Sequence, residues 1–98
     1  MKHPMTYIMA NTYDGVLYVG VTSNLIQRIW QHKNGIFEGF TKRYHIHQLV
    51  YYESHPTMKD AIRREKYIKH QNRAYKVKLI VGDNPQWWDL YPELIGDE

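Results

Sequence analysis

Met5-Thr6-Tyr7-Ile8-Met9-Ala10, then Asn11-Thr12-Tyr13-Asp14-Gly15, then Val16-Leu17-Tyr18-Val19-Gly20-Val21 is the stretch that decides the fold. Its two flanks are apolar, with β-branched and aromatic residues, and read as strands. Asp14-Gly15 between them is the signal of a tight hairpin turn. Two antiparallel strands are therefore predicted near the start of the chain. Tyr7 and Tyr18 stand on these adjacent strands, and pairing would bring both hydroxyls near one place. Plain cross-strand packing is the simpler account of two such tyrosines.

Outward from the hairpin, Ser23 or Asn24 can cap a helix, with Gln27 three residues after Asn24. Leu25, Ile26, Ile29 and Trp30 recur at helical spacing, and Gly35 fits the stop. Residues 36–46 read as a polar loop carrying Lys42, Arg43 and His45. Gln48 to Glu53 reads as a third strand. Thr57 with Asp60 opens a second helix, whose apolar stripe is Met58, Ala61, Ile62 and Ile68. Residues 74–81 fit both an alternating strand and a helical face. Asp83-Asn84-Pro85 is a turn, and Trp87, Trp88, Leu90 and Tyr91 give the tail apolar surface to pack back on the body. The order is that of an α+β domain with a small antiparallel sheet.

At 98 residues the chain has room for one domain, 1–98, and for a core that buries roughly two-thirds of the unfolded surface. It has no cysteine, so disulfides, thiolate metal sites and a cysteine nucleophile are excluded. No apolar run approaches the roughly 18 residues of a membrane span, and Met1-Lys2-His3-Pro4 does not begin a signal peptide. A soluble, cytoplasmic protein is expected, with no membrane partner. All 13 Lys and Arg lie in residues 1–80 beside five acids, while residues 81–98 hold five acids and no base. A basic body of this kind favours a polyanion. Nine tyrosines among these cations could stack on unpaired bases, although most are expected in strands and core.

Glu65 is the most informative single residue. It lies four after Ala61 and three before Ile68, on the apolar stripe of its helix. A carboxylate there is costly without a partner. Lys69 at i+4 would answer that need, and so would a divalent cation held with water and phosphate oxygens. Arg28 and His32, also i and i+4, share a helix face and could grip a phosphate and assist proton transfer. A solvated face is the simpler account of that pair alone. The remaining histidines match no familiar zinc spacing.

Taken in order, these residues resemble the GIY-YIG nuclease superfamily. Met5-Thr6-Tyr7 stands where the first triplet belongs, Tyr18-Val19-Gly20 where the second does, and Arg28, His32 and Arg64-Glu65-Lys66 follow. The likeness to small stand-alone bacterial members, related to the incision subunit of nucleotide-excision DNA repair, extends further. It takes in Thr41-Lys42-Arg43, Leu49 to Glu53, Arg63 to Lys69, and Asn84-Pro85-Gln86-Trp87-Trp88-Asp89-Leu90. The first triplet keeps only its tyrosine, and Val21 stands where some members have lysine.

The resemblance implies a three-stranded antiparallel sheet flanked by helices, β-β-α-β-α-α, with a helix at 74–81. It implies an endonuclease, a hydrolase cleaving DNA phosphodiesters with Mg²⁺ or Mn²⁺. By position, Glu65 would hold the metal and Arg28 would steady the scissile phosphate. Tyr7 or Tyr18 would activate water, with His32 in the proton relay. A nearby Arg28 and metal are expected to favour phenolate, so cleavage should rise with pH above neutrality. Thr22, Lys42, Arg43, Arg64 and Lys69 are the expected DNA contacts. Single-stranded or branched DNA suits the interleaved aromatics, and a protein partner or a homodimer would add specificity. The alternative is a non-catalytic nucleic-acid-binding module with the same fold. Every role assigned here requires two phenols, a guanidinium and a carboxylate to meet in space.

Overall fold

The computed structural model describes residues 3–36 and 39–96. Met1-Lys2 at the start, Glu38 in the loop and the acidic Asp97 and Glu98 lie outside them. The hairpin forms as the sequence predicts, from β1 (Met5–Ala10) and β2 (Leu17–Thr22). Its turn is closed by Asn11, whose side-chain oxygen accepts from Val16 N at 2.8 Å, and Asp14 takes the positive φ of 52°. β3 (Gln48–Ser54) adds to the other side of β1, giving an antiparallel sheet in the order β2-β1-β3. As the central strand, β1 is buried at all six residues. Its polar Thr6 is satisfied by donating to the Ala61 carbonyl at 2.9 Å.

Helices cover both faces. α1 (Leu25–Lys33) starts at Asn24, whose side chain accepts from Gln27 N. α2 (Phe40–Arg43) is a single turn entered through Gly39 at φ 92°. α3 (Met58–Lys69) is capped by Thr57, which accepts from Asp60 N. α4 (Arg73–Asp83) is capped by Asn72 and α5 (Tyr91–Leu94) closes the chain. Side-chain caps of this kind are worth about 1 kcal/mol each. The ambiguous 74–81 segment is thus helical: Asn72 supplies the cap, and Ile80 is buried with Tyr75, Val77 and Leu79 packed beside it. The short α2 turn interrupts what the sequence reads as loop.

One layer of core joins Ile8, Ala10, Val19 and Val50 to Ile68 of α3, Ile80 of α4 and Trp87. The opposite layer joins Met5, Tyr7, Met9 and Leu49 to Leu25 and Ile29 of α1, with Tyr91 and Leu94 of α5 beside them. The buried stripes are narrower than the sequence suggests. On α1 only Leu25, Ile29 and His32 turn fully inward, leaving Ile26 and Trp30 exposed. On α3 the inward set is Ala61, Glu65 and Ile68, and Ile62 is exposed. Trp87 packs back as expected, but Trp88 is 69% exposed.

The tail is held by hydrogen bonds as much as by apolar contact. Buried Asn84 donates to the Val50 and Trp88 carbonyls and accepts from Trp88 N. Asp89 accepts from Leu49 N and Tyr91 N at 3.1 Å each and pairs with Lys33 of α1. Leu90 N donates to the Leu49 carbonyl at 2.8 Å. The segment therefore covers part of the β3 edge, where unpaired backbone groups would otherwise face water.

Candidate active site

Tyr7 sits opposite Gly20 in the β1–β2 register, and Tyr18 opposite Met9. Both side chains thus share the α1 face of the sheet. A Cβ on Gly20 would overlap the end of the Tyr7 ring, with Tyr7 Cε1 at 2.9 Å and Cζ and Oη closer. The missing side chain at Gly20 is what lets the phenol lie across the edge strand. The Tyr7 and Tyr18 ring centroids are 6.4 Å apart.

α1 brings its polar pair to the same place. His32 is buried, and its Nε2 lies 3.0 Å from the Tyr7 hydroxyl. Its ring is 5.4 Å from that of Tyr18, edge-on. His32 Nδ1 lies 3.3 Å from the Thr41 hydroxyl of α2. Arg28, one turn earlier, donates to the Val21 carbonyl of β2 at 3.4 Å, and its positive charge acts on the Tyr7 phenol.

Burial governs the protonation of both groups. It pushes the Tyr7 phenol well above the ordinary tyrosine range, and the neighbouring Tyr18 adds to that. Arg28 opposes the shift through its charge and hydrogen bond, and the charge of Glu65 raises it further. Without a metal beside it, Tyr7 is therefore a neutral phenol: desolvation outweighs the guanidinium. His32 is pushed down to about 4, by burial first and then by the positive charge of Arg28, with His47 adding to it. The imidazole is neutral at physiological pH.

Glu65 approaches from α3, the helix that packs across β2 and β1. Its side chain is 12% exposed and pairs with Lys69 Nζ at 2.7 Å. Both partners weighed from the sequence bear on this residue, because the Lys69 pair occupies only one carboxylate oxygen. Among the described residues no three His, Asp or Glu side chains cluster. A divalent ion at Glu65 would rest on one protein carboxylate, with water and phosphate oxygens completing its shell. That is the habit of Mg²⁺, so the residues fit the ion. The Tyr7, Tyr18 and His32 rings thus lie together, and the charges of Arg28 and Glu65 act on Tyr7.

Comparison with known proteins bears directly on this constellation. The family model of the GIY-YIG catalytic domain matches residues 3–78. The chain belongs to the GIY-YIG nuclease family. A UPF0213 protein of Staphylococcus epidermidis is 35% identical over 79 residues, covering 81% of this chain and 94% of its own length. Another from Staphylococcus saprophyticus is 42% identical over 67 residues, covering 68% and 82%. The solution structure of a UPF0213 protein from Bacillus halodurans superposes with a TM-score of 0.55 at 27% identity, covering 94% of this chain and 96% of that one. The α+β architecture expected from the sequence is therefore that of a GIY-YIG relative.

Within this GIY-YIG domain the five expected DNA contacts divide. Lys42 and Arg43 are exposed on α2, and Lys69 is half exposed. Thr22 is buried and bonds Asn24 at the start of α1. Arg64 is mostly buried: its Nε donates to Glu53 at 2.9 Å and Nη1 to the Tyr75 hydroxyl at 3.1 Å. Tyr51 also bonds Glu53, so these four residues tie β3, α3 and α4 together. Arg64, expected at the DNA surface, is bonded into that network.

Sequence reasoning also passed over an aromatic row. Tyr18 stacks on Phe40 at 6.3 Å and 29°, and Phe40 meets Tyr44 at 4.7 Å, with the Arg43 guanidinium 5.6 Å from the Tyr44 ring. Phe40 and Tyr44 are exposed. The α2 turn builds this row, and no periodicity in the loop sequence announces it.

Proposed function

We propose that this protein is a divalent-metal-dependent endonuclease that hydrolyses phosphodiester bonds in DNA carrying unpaired strands. The observation that carries the reading is the contact of Tyr7 Oη with His32 Nε2 at 3.0 Å, with the Arg28 charge acting on the same phenol. A neutral phenol that donates to a neutral imidazole can take a proton from water while passing its own to His32. Arg28 supplies positive charge where the phosphorane develops negative charge. A phosphodiester seated beside Arg28 offsets one of the causes that depress His32, and so favours proton acceptance at Nε2. Glu65 would hold Mg²⁺ or Mn²⁺, which supplies Lewis-acid stabilisation of the phosphate when bound.

The row Tyr18, Phe40 and Tyr44, flanked by Lys42 and Arg43, supports unpaired DNA as the substrate. Base stacking on such a platform is worth about 1–3 kcal/mol per base, and the cations track the backbone. The phenol position supports Tyr7, not Tyr18, as the group in the relay. Function in DNA repair and a cytoplasmic location accord with this reading.

The test is incubation of the purified protein with labelled single-stranded, duplex and branched DNA in Mg²⁺, Mn²⁺ or EDTA. Wild type is compared with Glu65→Ala and Arg28→Ala. Metal-dependent nicking, fastest where a strand is unpaired and lost in both variants, is the expected result. Tight, salt-sensitive binding without cutting in any metal would leave a nucleic-acid-binding module and overturn the enzyme.

A further inference from the structure

The buried Thr41 has no part in the relay as described, yet it touches its far end. It stands on α2 with 5% exposure, while its neighbours Lys42 and Arg43 face solvent. Its hydroxyl lies 3.3 Å from His32 Nδ1.

The direction of the hydrogen-bond chain follows from the donor inventory. Tyr7 is fully buried, and the Arg28 charge beside it can only donate, so Arg28 cannot take the phenol proton. The phenol proton then needs an acceptor, and His32 Nε2 at 3.0 Å provides one. A neutral imidazole that accepts at Nε2 carries its proton at Nδ1. That proton needs an acceptor in turn, and the Thr41 oxygen is the group beside it. The chain runs from Tyr7 to His32 to Thr41.

We infer that Thr41 is a positioning residue that holds His32 in the Nδ1–H tautomer and so keeps Nε2 open to the Tyr7 proton. The inference rests on the nuclease reading only for its effect on rate. Without the hydroxyl, Nδ1–H would lose the acceptor that Thr41 supplies at 3.3 Å, which favours moving the proton to Nε2. Nε2–H would then face the phenol as a donor and block the relay. Because the same turn presents Phe40 to Tyr18, α2 orients two aromatic groups of the site from one side.

The test is a long-range ¹⁵N–¹H correlation spectrum of the histidine rings at pH 7 in the DNA-free protein, with His32 assigned through His32→Gln. Wild type is expected to give a protonated Nδ1 and an unprotonated Nε2. Thr41→Val, the same shape without the oxygen, is expected to move proton density to Nε2, and Thr41→Ser to restore the wild-type pattern. Among cleaving variants, Thr41→Val should lower kcat on the order of tenfold or more at little change in KM, with Thr41→Ser near wild type. A wild-type His32 protonated at Nε2 overturns the inference, as does an unchanged tautomer in Thr41→Val. Both readouts need only folded protein, so they decide Thr41's role even if no DNA is cut.

Discussion

The Tyr7 ring occupies the space that a side chain on Gly20 would need. The second triplet of this chain is thereby explained on physical grounds. Its tyrosine adds a ring beside Tyr7 and His32, and its glycine clears the path for the phenol.

Gly20→Ala should therefore act on stability and on the site together. Overpacking at so rigid a contact costs typically about 1–3 kcal/mol. For a domain near 100 residues each kcal/mol lowers Tm by roughly 4–8 °C. Cleavage should fall further than unfolding accounts for, because Tyr7 would lose its place against His32. In a Tyr7→Leu background the same substitution should cost measurably less. Equal thermal shifts in the two backgrounds would mean that the ring and the glycine do not compete for space.

Arg64 and the α2 cations separate structure from binding. Arg64→Ala would take the guanidinium from Glu53, which burial pushes up but Tyr51 and Arg64 together hold below the ordinary carboxylate range. Loss of a partly buried charged pair of this kind is expected to cost about 2 kcal/mol, read by urea unfolding, with DNA affinity little altered. Lys42→Ala and Arg43→Ala should leave unfolding unchanged. Each should weaken DNA binding and reduce the slope of log K against log salt by roughly one. A large loss of DNA affinity in a folded Arg64→Ala protein would return that side chain to the DNA surface.

What the sequence made legible follows the strength of its local signals. The strand boundaries 5–10, the Asn24 and Thr57 caps and the Gly35 stop each rest on one or two adjacent residues whose chemistry allows few alternatives. The candidate set could be named because Tyr7, Tyr18, Arg28, His32 and Glu65 form an ordered pattern along most of the chain. Thr41 and Phe40 were not legible as part of it. They reach the site only because Gly39 starts a single turn inside a loop, and that turn is set by tertiary contact, not by local propensity. The Arg64–Glu53 bond was not legible, because an arginine beside Glu65 looks alike in sequence whether it faces DNA or a partly buried Glu53. Protonation was the least legible quantity, since the burial that dominates Tyr7 cannot be read from charge neighbours.

Lys69 competes with any cation at Glu65, since its ammonium already rests on one carboxylate oxygen at 2.7 Å. The pair is partly solvated, so it should be worth no more than about 1 kcal/mol. Lys69→Met is expected to tighten Mn²⁺ binding by a few-fold, measured by water-proton relaxation without DNA. Glu65→Gln should abolish the same signal. Binding that survives Glu65→Gln would place the metal elsewhere.

The buried imidazole also makes stability depend on pH in a stated direction. His32 titrates near 4 in the folded protein, below the ordinary 6.5 it regains on unfolding. Between those values the unfolded chain binds more protons than the folded one, so acidification favours unfolding. The stability that His32 contributes is fully present above about 6.5 and is lost as the pH falls toward 4. The shift corresponds to a total on the order of 3 kcal/mol. Carboxylates titrate at the lower end of this range, so the informative quantity is the difference between wild type and His32→Gln. Urea unfolding at pH 7, 6, 5 and 4 should show wild type losing ground to the variant at each step. Parallel pH profiles would mean that His32 has the same pKa folded and unfolded, and the depression by burial and Arg28 would fall with it.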